Sequence, residues 1–176
     1  MRYLFLLIFA LLFYSVVPVF SGQIPSTGTV AVYFSPNGGS TAAIISEIQA
    51  AKKEILVQAY SFTSTPIAKA LLDAHKRGVK IEAVLDKSQK SAKYTSATFL
   101  FNVGVPVLID NRHAIAHNKI MIIDRSVLIT GSFNFTKAAE EKNAENLMVI
   151  KGNPKLIEQY LSNYEEHKGH SDPFVN

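Results

Sequence analysis

The chain has 176 residues, 18 Lys and Arg against 14 Asp and Glu, and no cysteine. Such a length suits one domain with a core of its own. The missing thiols exclude a disulfide scaffold, thiol catalysis, zinc ribbons and iron–sulfur clusters, and the formal charge of +4 suits a polyanionic partner without specifying one.

After Arg2, residues 3–20 (YLFLLIFALLFYSVVPVF) carry no charge. One basic residue, an apolar run and then small residues follow the order of a secretory signal peptide. Val19 and Ser21 would hold the −3 and −1 positions of a cut after Ser21, and a cut after Gly22 fits as well. The expected division is a leader over 1–22 and a single domain over 23–176, with a net charge of +3 once Arg2 is lost. The rival reading is an uncleaved membrane anchor, although the run is short for a span and Pro18 interrupts its end. Both readings place the domain outside the cytoplasm or against a membrane.

Residues 29–34 (TVAVYF) predict a strand. A PNGG loop follows, then a helix to about residue 53, with Ser40 or Thr41 as its cap and Ile44, Ile45, Ile48 and Ala51 at helical spacing. Residues 54–60 predict a strand. Thr65 and Pro66 open a helix whose apolar stripe is Ile67, Ala70, Leu71 and Ala74, and Gly78 ends it. A strand over 79–85, a helix over 87–102 and a strand over 105–109 come next. Helices between strands imply crossovers and a parallel sheet. The pattern then changes. Residues 119–124 and 127–132 almost touch along the chain and predict a hairpin; 146–150 is another strand. A closing helix over 154–168 turns Leu156, Ile157, Tyr160, Leu161 and Tyr164 inward. The expected fold class is α/β, a mixed, mostly parallel sheet with helices on both faces.

The hairpin carries the chemistry. Residues two apart on a strand face the same side, so His117 and Lys119 share a face if the strand extends back to His117. A tight turn at Arg125-Ser126, or a four-residue loop, sets His117 opposite Asn134 and Lys119 opposite Ser132. An odd-length loop would shift that pairing. Gly131 fits a bulge or a close approach of backbone to ligand. Lys119 offers charge and Ser132 and Asn134 offer hydrogen bonds, a set suited to phosphate oxygens. His117 can attack phosphorus or move a proton near neutral pH. The neighbouring carboxylates of a magnesium-dependent nuclease are missing, so a metal-free phosphoryl reaction is expected, with no cofactor and no metal ligand.

His-x-Lys, four residues, Asp124, six residues and Gly-Ser-x-Asn resemble the signature of the phospholipase D superfamily, and every specified position matches. The resemblance also takes in Gln58-Ala-Tyr-Ser-Phe-Thr63 and residues 79–86. In size, leader and single motif the chain is similar to the small secreted bacterial endonucleases of that superfamily. The resemblance implies an α-β-α sandwich, His117 as nucleophile, Lys119 and Asn134 as phosphate ligands and Ser132 as a supporting hydrogen-bonding group. Asp124 would be structural or supporting, and Glu145, an acid after the motif, would orient a histidine.

Most members of that superfamily carry two motifs. This chain has one, because His75, His113, His167 and His170 are not followed by Lys two residues on. A phosphohistidine mechanism needs a nucleophile and an acid, so the expected assembly is a homodimer with the site on its two-fold axis. His113 is expected to be a surface or loop histidine, with a place near the site mouth as the rival reading, and His167 and His170 are expected to be incidental. Lys87, Lys90 and Lys93 would share one helix face, with Tyr94 beside them, and could follow a nucleic-acid backbone. The favoured reading is a secreted or periplasmic, nonspecific DNA endonuclease, with RNA left open as a second substrate. Its rivals are an anchored hydrolase of cardiolipin or other phosphatidyl lipids and a non-catalytic nucleic-acid-binding module.

Overall fold

The computed structural model describes residues 22–91 and 95–175; the predicted leader, apart from Gly22, lies outside them. The elements are β1 (Thr29–Ser35), α1 (Ser40–Ala50), β2 (Glu54–Ala59), α2 (Thr65–Lys76), β3 (Lys80–Asp86), α3 (Ser88–Ser91), α4 (Ser96–Asn102) and β4 (Val107–Asp110). They continue with β5 (Lys119–Ile123), β6 (Val127–Gly131), α5 (Lys137–Glu141), β7 (Glu145–Lys151), α6 (Pro154–Gly169) and β8 (Asp172–Pro173). The strands form one mixed sheet in the order β1-β7-β6-β5-β2-β3-β4-β8. Among the described residues no helix is long and apolar enough to cross a membrane.

The mixed sheet with helices on both faces is as expected, but its parallel part is confined to β2–β3 and β3–β4. The other pairings are antiparallel, because only the first half of the chain places a crossover helix between neighbouring strands. Strand alternation divides the core in two. Val57, Leu85, Met121 and Ile129 pack under α1, α2 and α4 on one face. Leu56, Val84, Ile122 and Leu128 pack under Ile157 and Tyr164 of α6 on the other. The central strands β2 and β5 are buried on both sides, which makes them a stiff support for whatever stands at their ends.

Three expectations about local structure are corrected. The hairpin loop is odd: Asp124, Arg125 and Ser126 join strands whose pairs are Ile123 with Val127 and Met121 with Ile129. Asp124 and Arg125 both take φ of 51°, and the Ser126 N–H closes the loop on Ile123 O. Lys119 therefore falls level with Gly131 rather than Ser132. The helix expected over 87–102 is two pieces, α3 and α4, with Thr95 in extended geometry before the second. Lys87 precedes α3, so it shares no helical face with Lys90; Lys93 lies outside the described residues. At α1, neither Ser40 nor Thr41 caps with its side chain; the Glu140 carboxylate of α5 accepts the N–H groups of Gly39 and Thr41 instead. Such long-range capping has no local sequence signal.

Asp124 shows why the loop takes that form. Its carboxylate accepts the backbone N–H groups of Lys52, Lys53 and Glu54, which tie the turn to the start of β2. Burial works to raise its pKa, but these donors and the Lys53 charge outweigh it and hold the group below the ordinary carboxylate value. A lowered folded pKa adds stability above the unfolded value of about 3.9 and loses it as pH falls through the folded value. Asp124 also stands seven residues from His117 along a near-extended chain, roughly 20 Å away. Asp124→Ala is expected to cost about 1.5–3 kcal/mol and to lower the melting temperature by roughly 3–10 °C. Turnover per folded molecule should not change, and calorimetry beside an activity assay checks both halves.

Candidate active site

The site lies where β5 begins. The ladder between β2 and β5 runs from Ile55 with Ile123 to Ala59 with Lys119. One further bond, Tyr60 N–H to Asn118 O at 2.9 Å, carries it to the residue beside His117. The Lys119 ammonium turns back to donate to His117 O at 2.6 Å. Tyr60 touches both functional groups: its ring centroid is 4.6 Å from that of the exposed His117 and 5.2 Å from Lys119 Nζ. Aromatic packing orients the imidazole, and the ring face favours the cation. Tyr60 was not singled out from sequence. Its available signal was its place one residue past Ala59 on a buried strand.

Lys119 is 6% exposed. Burial pushes its pKa down, and the negative charge of Glu145 pushes it partly back up. Glu145, the first residue of β7, therefore acts electrostatically on the lysine. Its N–H donates to Ser35 Oγ, and its carboxylate accepts from the Asn143 side chain.

The segment after β6 makes room for the remaining groups. The N–H groups of Ser132 and Phe133 both donate to Asn146 O, which is a β-bulge. A Cβ on Gly131 would stand 2.3 Å from that same oxygen, at φ of +147°. The glycine thus serves the approach of β6 to β7 at the bulge. The bulge lies on the β7 side of β6, whereas the ladder between β5 and β6 ends at Met121 with Ile129 and includes neither His117 nor Asn134.

Ser132 Oγ accepts from the N–H and the side-chain amide of Asn146 and stiffens the bulge. Asn134 Oδ1 is buried and has no hydrogen-bond partner among the described residues. His117, Lys119 and Gly131 also line a cavity of about 710 Å³, bounded opposite by Leu156, Tyr160 and Asn163 of α6. Of the lysines expected on one face, Lys87 Nζ donates to His113 O, on the loop that leads to His117, and Lys90 is exposed on α3.

An exposed imidazole beside a buried ammonium and a bulge of polar groups can attack phosphorus while neutralising its oxygens. The comparisons agree with that class of chemistry. Residues 44–168 match the family model described as cardiolipin synthase, PLD-like domain. The chain belongs to the phospholipase D superfamily and is a phosphodiesterase, a hydrolase, of that superfamily. It is 41% identical over 143 residues to a phospholipase D of Rickettsia prowazekii, covering 81% of this chain and 69% of that one. The structure of Nuc, a phospholipase D family member from Salmonella typhimurium, superposes with a TM-score of 0.80 at 38% identity, over 84% of this chain and 99% of that one. A mitochondrial cardiolipin hydrolase of Xenopus laevis is 27% identical over 74% of this chain and 61% of its own length. NucT from Helicobacter pylori shares the fold, with a TM-score of 0.78 at 23% identity over 83% of this chain and 99% of that one.

Proposed function

We propose that the protein is a secreted or periplasmic, metal-independent endonuclease that hydrolyses phosphodiester bonds of DNA without sequence preference. The observation that carries this reading is the exposed His117 held by Tyr60 beside buried Lys119, in a chain that matches Nuc over nearly all of that structure. His117 attacks phosphorus in line, forming a P–N bond as the P–O bond to the leaving oxygen breaks. A second histidine, protonated, gives its proton to that oxygen. Now neutral, it takes a proton from water, whose oxygen attacks phosphorus and releases the His117 imidazole. Lys119 and Asn134 hold the phosphate oxygens, Ser132 supports the bulge, and Glu145 supports the charge of Lys119 and orients a histidine.

The second histidine is the His117 of a second copy, on a two-fold axis through the site. Two features support a homodimer. The motif occurs once. Phe34 and Ile115, 67% and 57% exposed, lie one residue before Ser35, the partner of Glu145, and two residues before His117. Exposed side chains of that size beside a polar site suit burial against another copy.

The other reading, a phosphatidyl-lipid hydrolase, draws on the stripe of Val30, Val32 and Phe34, about half or more exposed along β1. Incubation with plasmid DNA and with cardiolipin vesicles, each in excess EDTA, separates the two. Nicked plasmid with intact lipid is the expected result, and lipid cleavage alone would overturn the nuclease reading. Cleavage should slow steeply with added salt, since phosphate contacts release counterions.

A further inference from the structure

Three histidines that sequence spacing gave no reason to join meet around one carboxylate. Asp110 ends β4 and is fully buried. Its Oδ2 lies 2.9 Å from His113 Nδ1, 2.7 Å from His167 Nδ1 and 3.3 Å from His170 Nε2. Its Oδ1 is held separately by the N–H groups of Arg112 and His113. His113 comes from the loop after β4, His167 from the last turn of α6 and His170 from the residue that ends it. His167 and His170 are therefore not incidental, and His113 is more than a surface loop residue.

The three imidazole nitrogens and the carboxylate oxygen lie within 4.8 Å of one another. A tetrahedral zinc ion, with bonds of about 2.0–2.1 Å, spaces its ligand atoms by roughly 3.3 Å. The separations from Asp110 run from 2.7 Å up to that value, the four atoms all lie within 4.8 Å, and modest ring rotations would even them out. A bare carboxylate oxygen crowded by three rings is a poor use of three nitrogen ligands. An ion at their centre would use every one.

We propose that Asp110, His113, His167 and His170 form a closed, structural site for one divalent transition-metal ion of the zinc class. Three nitrogens and one oxygen suit zinc or cobalt and do not suit magnesium or calcium, which favour oxygen. All four positions are filled by protein, so the ion has no open place for water and takes no part in the reaction at His117. Its effect is mechanical. It fastens the end of α6 to the loop over residues 111–118, whose end carries His117 and whose Ala116 N–H is anchored on Asp86. The His113 side chain, 43% exposed, is the way in.

Tag-free protein stripped with chelator and titrated with Co²⁺ tests the site without any assay of activity. One equivalent should bind with the visible bands of a tetrahedral centre, and Zn²⁺ should displace it. Zn²⁺ at 100 times its dissociation constant should raise the melting temperature by roughly 5–10 °C. His113→Ala and His170→Ala, both at the outer side of the cluster, should lose the bands and the thermal shift, while His117→Ala keeps them. Absence of a tetrahedral Co²⁺ spectrum in the folded unsubstituted protein would overturn the site. So would bands and shift that survive both outer substitutions, or that vanish with His117→Ala.

Discussion

His117→Ala is expected to leave a folded protein with turnover reduced by roughly 10⁴-fold or more, because both the nucleophile and its counterpart disappear from a shared site. The histidine is exposed, with its ring against that of Tyr60 at the edge of the fold, so thermal stability should barely move. Mixing sharpens the test. With subunit exchange, a ninefold excess of inactive chains leaves about one tenth of the active chains paired with each other, so activity per active chain falls about tenfold. Activity that simply adds would mean that each protomer works alone, and the proposed dimeric site would be wrong.

Lys119→Met should lower turnover by about 10²–10³-fold, the usual loss on removing one positioned donor from a developing anion. The aliphatic replacement fills the same buried position, so stability should hold or rise. The lysine also sets a pH limit. Its depressed pKa means that activity falls at high pH as the ammonium loses its proton, earlier than for an exposed lysine. Glu145 opposes the burial effect, so Glu145→Gln should move that alkaline limb to lower pH. A limb that stays in place would show that Glu145 does not govern the lysine.

The strands and helices with strong periodicity were legible. The expected strand over 54–60 became β2, and the expected helix over 154–168 became α6 with one residue added at its end. Within the motif, the alternation that puts His117 and Lys119 at the start of β5 was legible, and the structure brings both against Tyr60. The hairpin register was not, because nothing in Arg125-Ser126 announces that Asp124 prefers the start of β2 to its own partner strand. The break between α3 and α4 escaped for a similar reason. Gln89 spends its side chain on Phe62 N–H and its carbonyl on Thr95 Oγ1, contacts that a helical wheel does not contain. Nor could spacing unite Asp110 with two histidines 57 and 60 residues later. That meeting exists only once α6 has crossed the sheet.

The run from Asp124 to Gly131 is pinned at both ends, by the three N–H groups at the start of β2 and by the bulge against Asn146. It behaves as a ruler whose length is read in whole residues. Inserting or deleting one residue there would turn the side chains of β6 to the opposite layer of the core. The number of residues between the two anchors is therefore fixed by the core, independently of what each of them contacts.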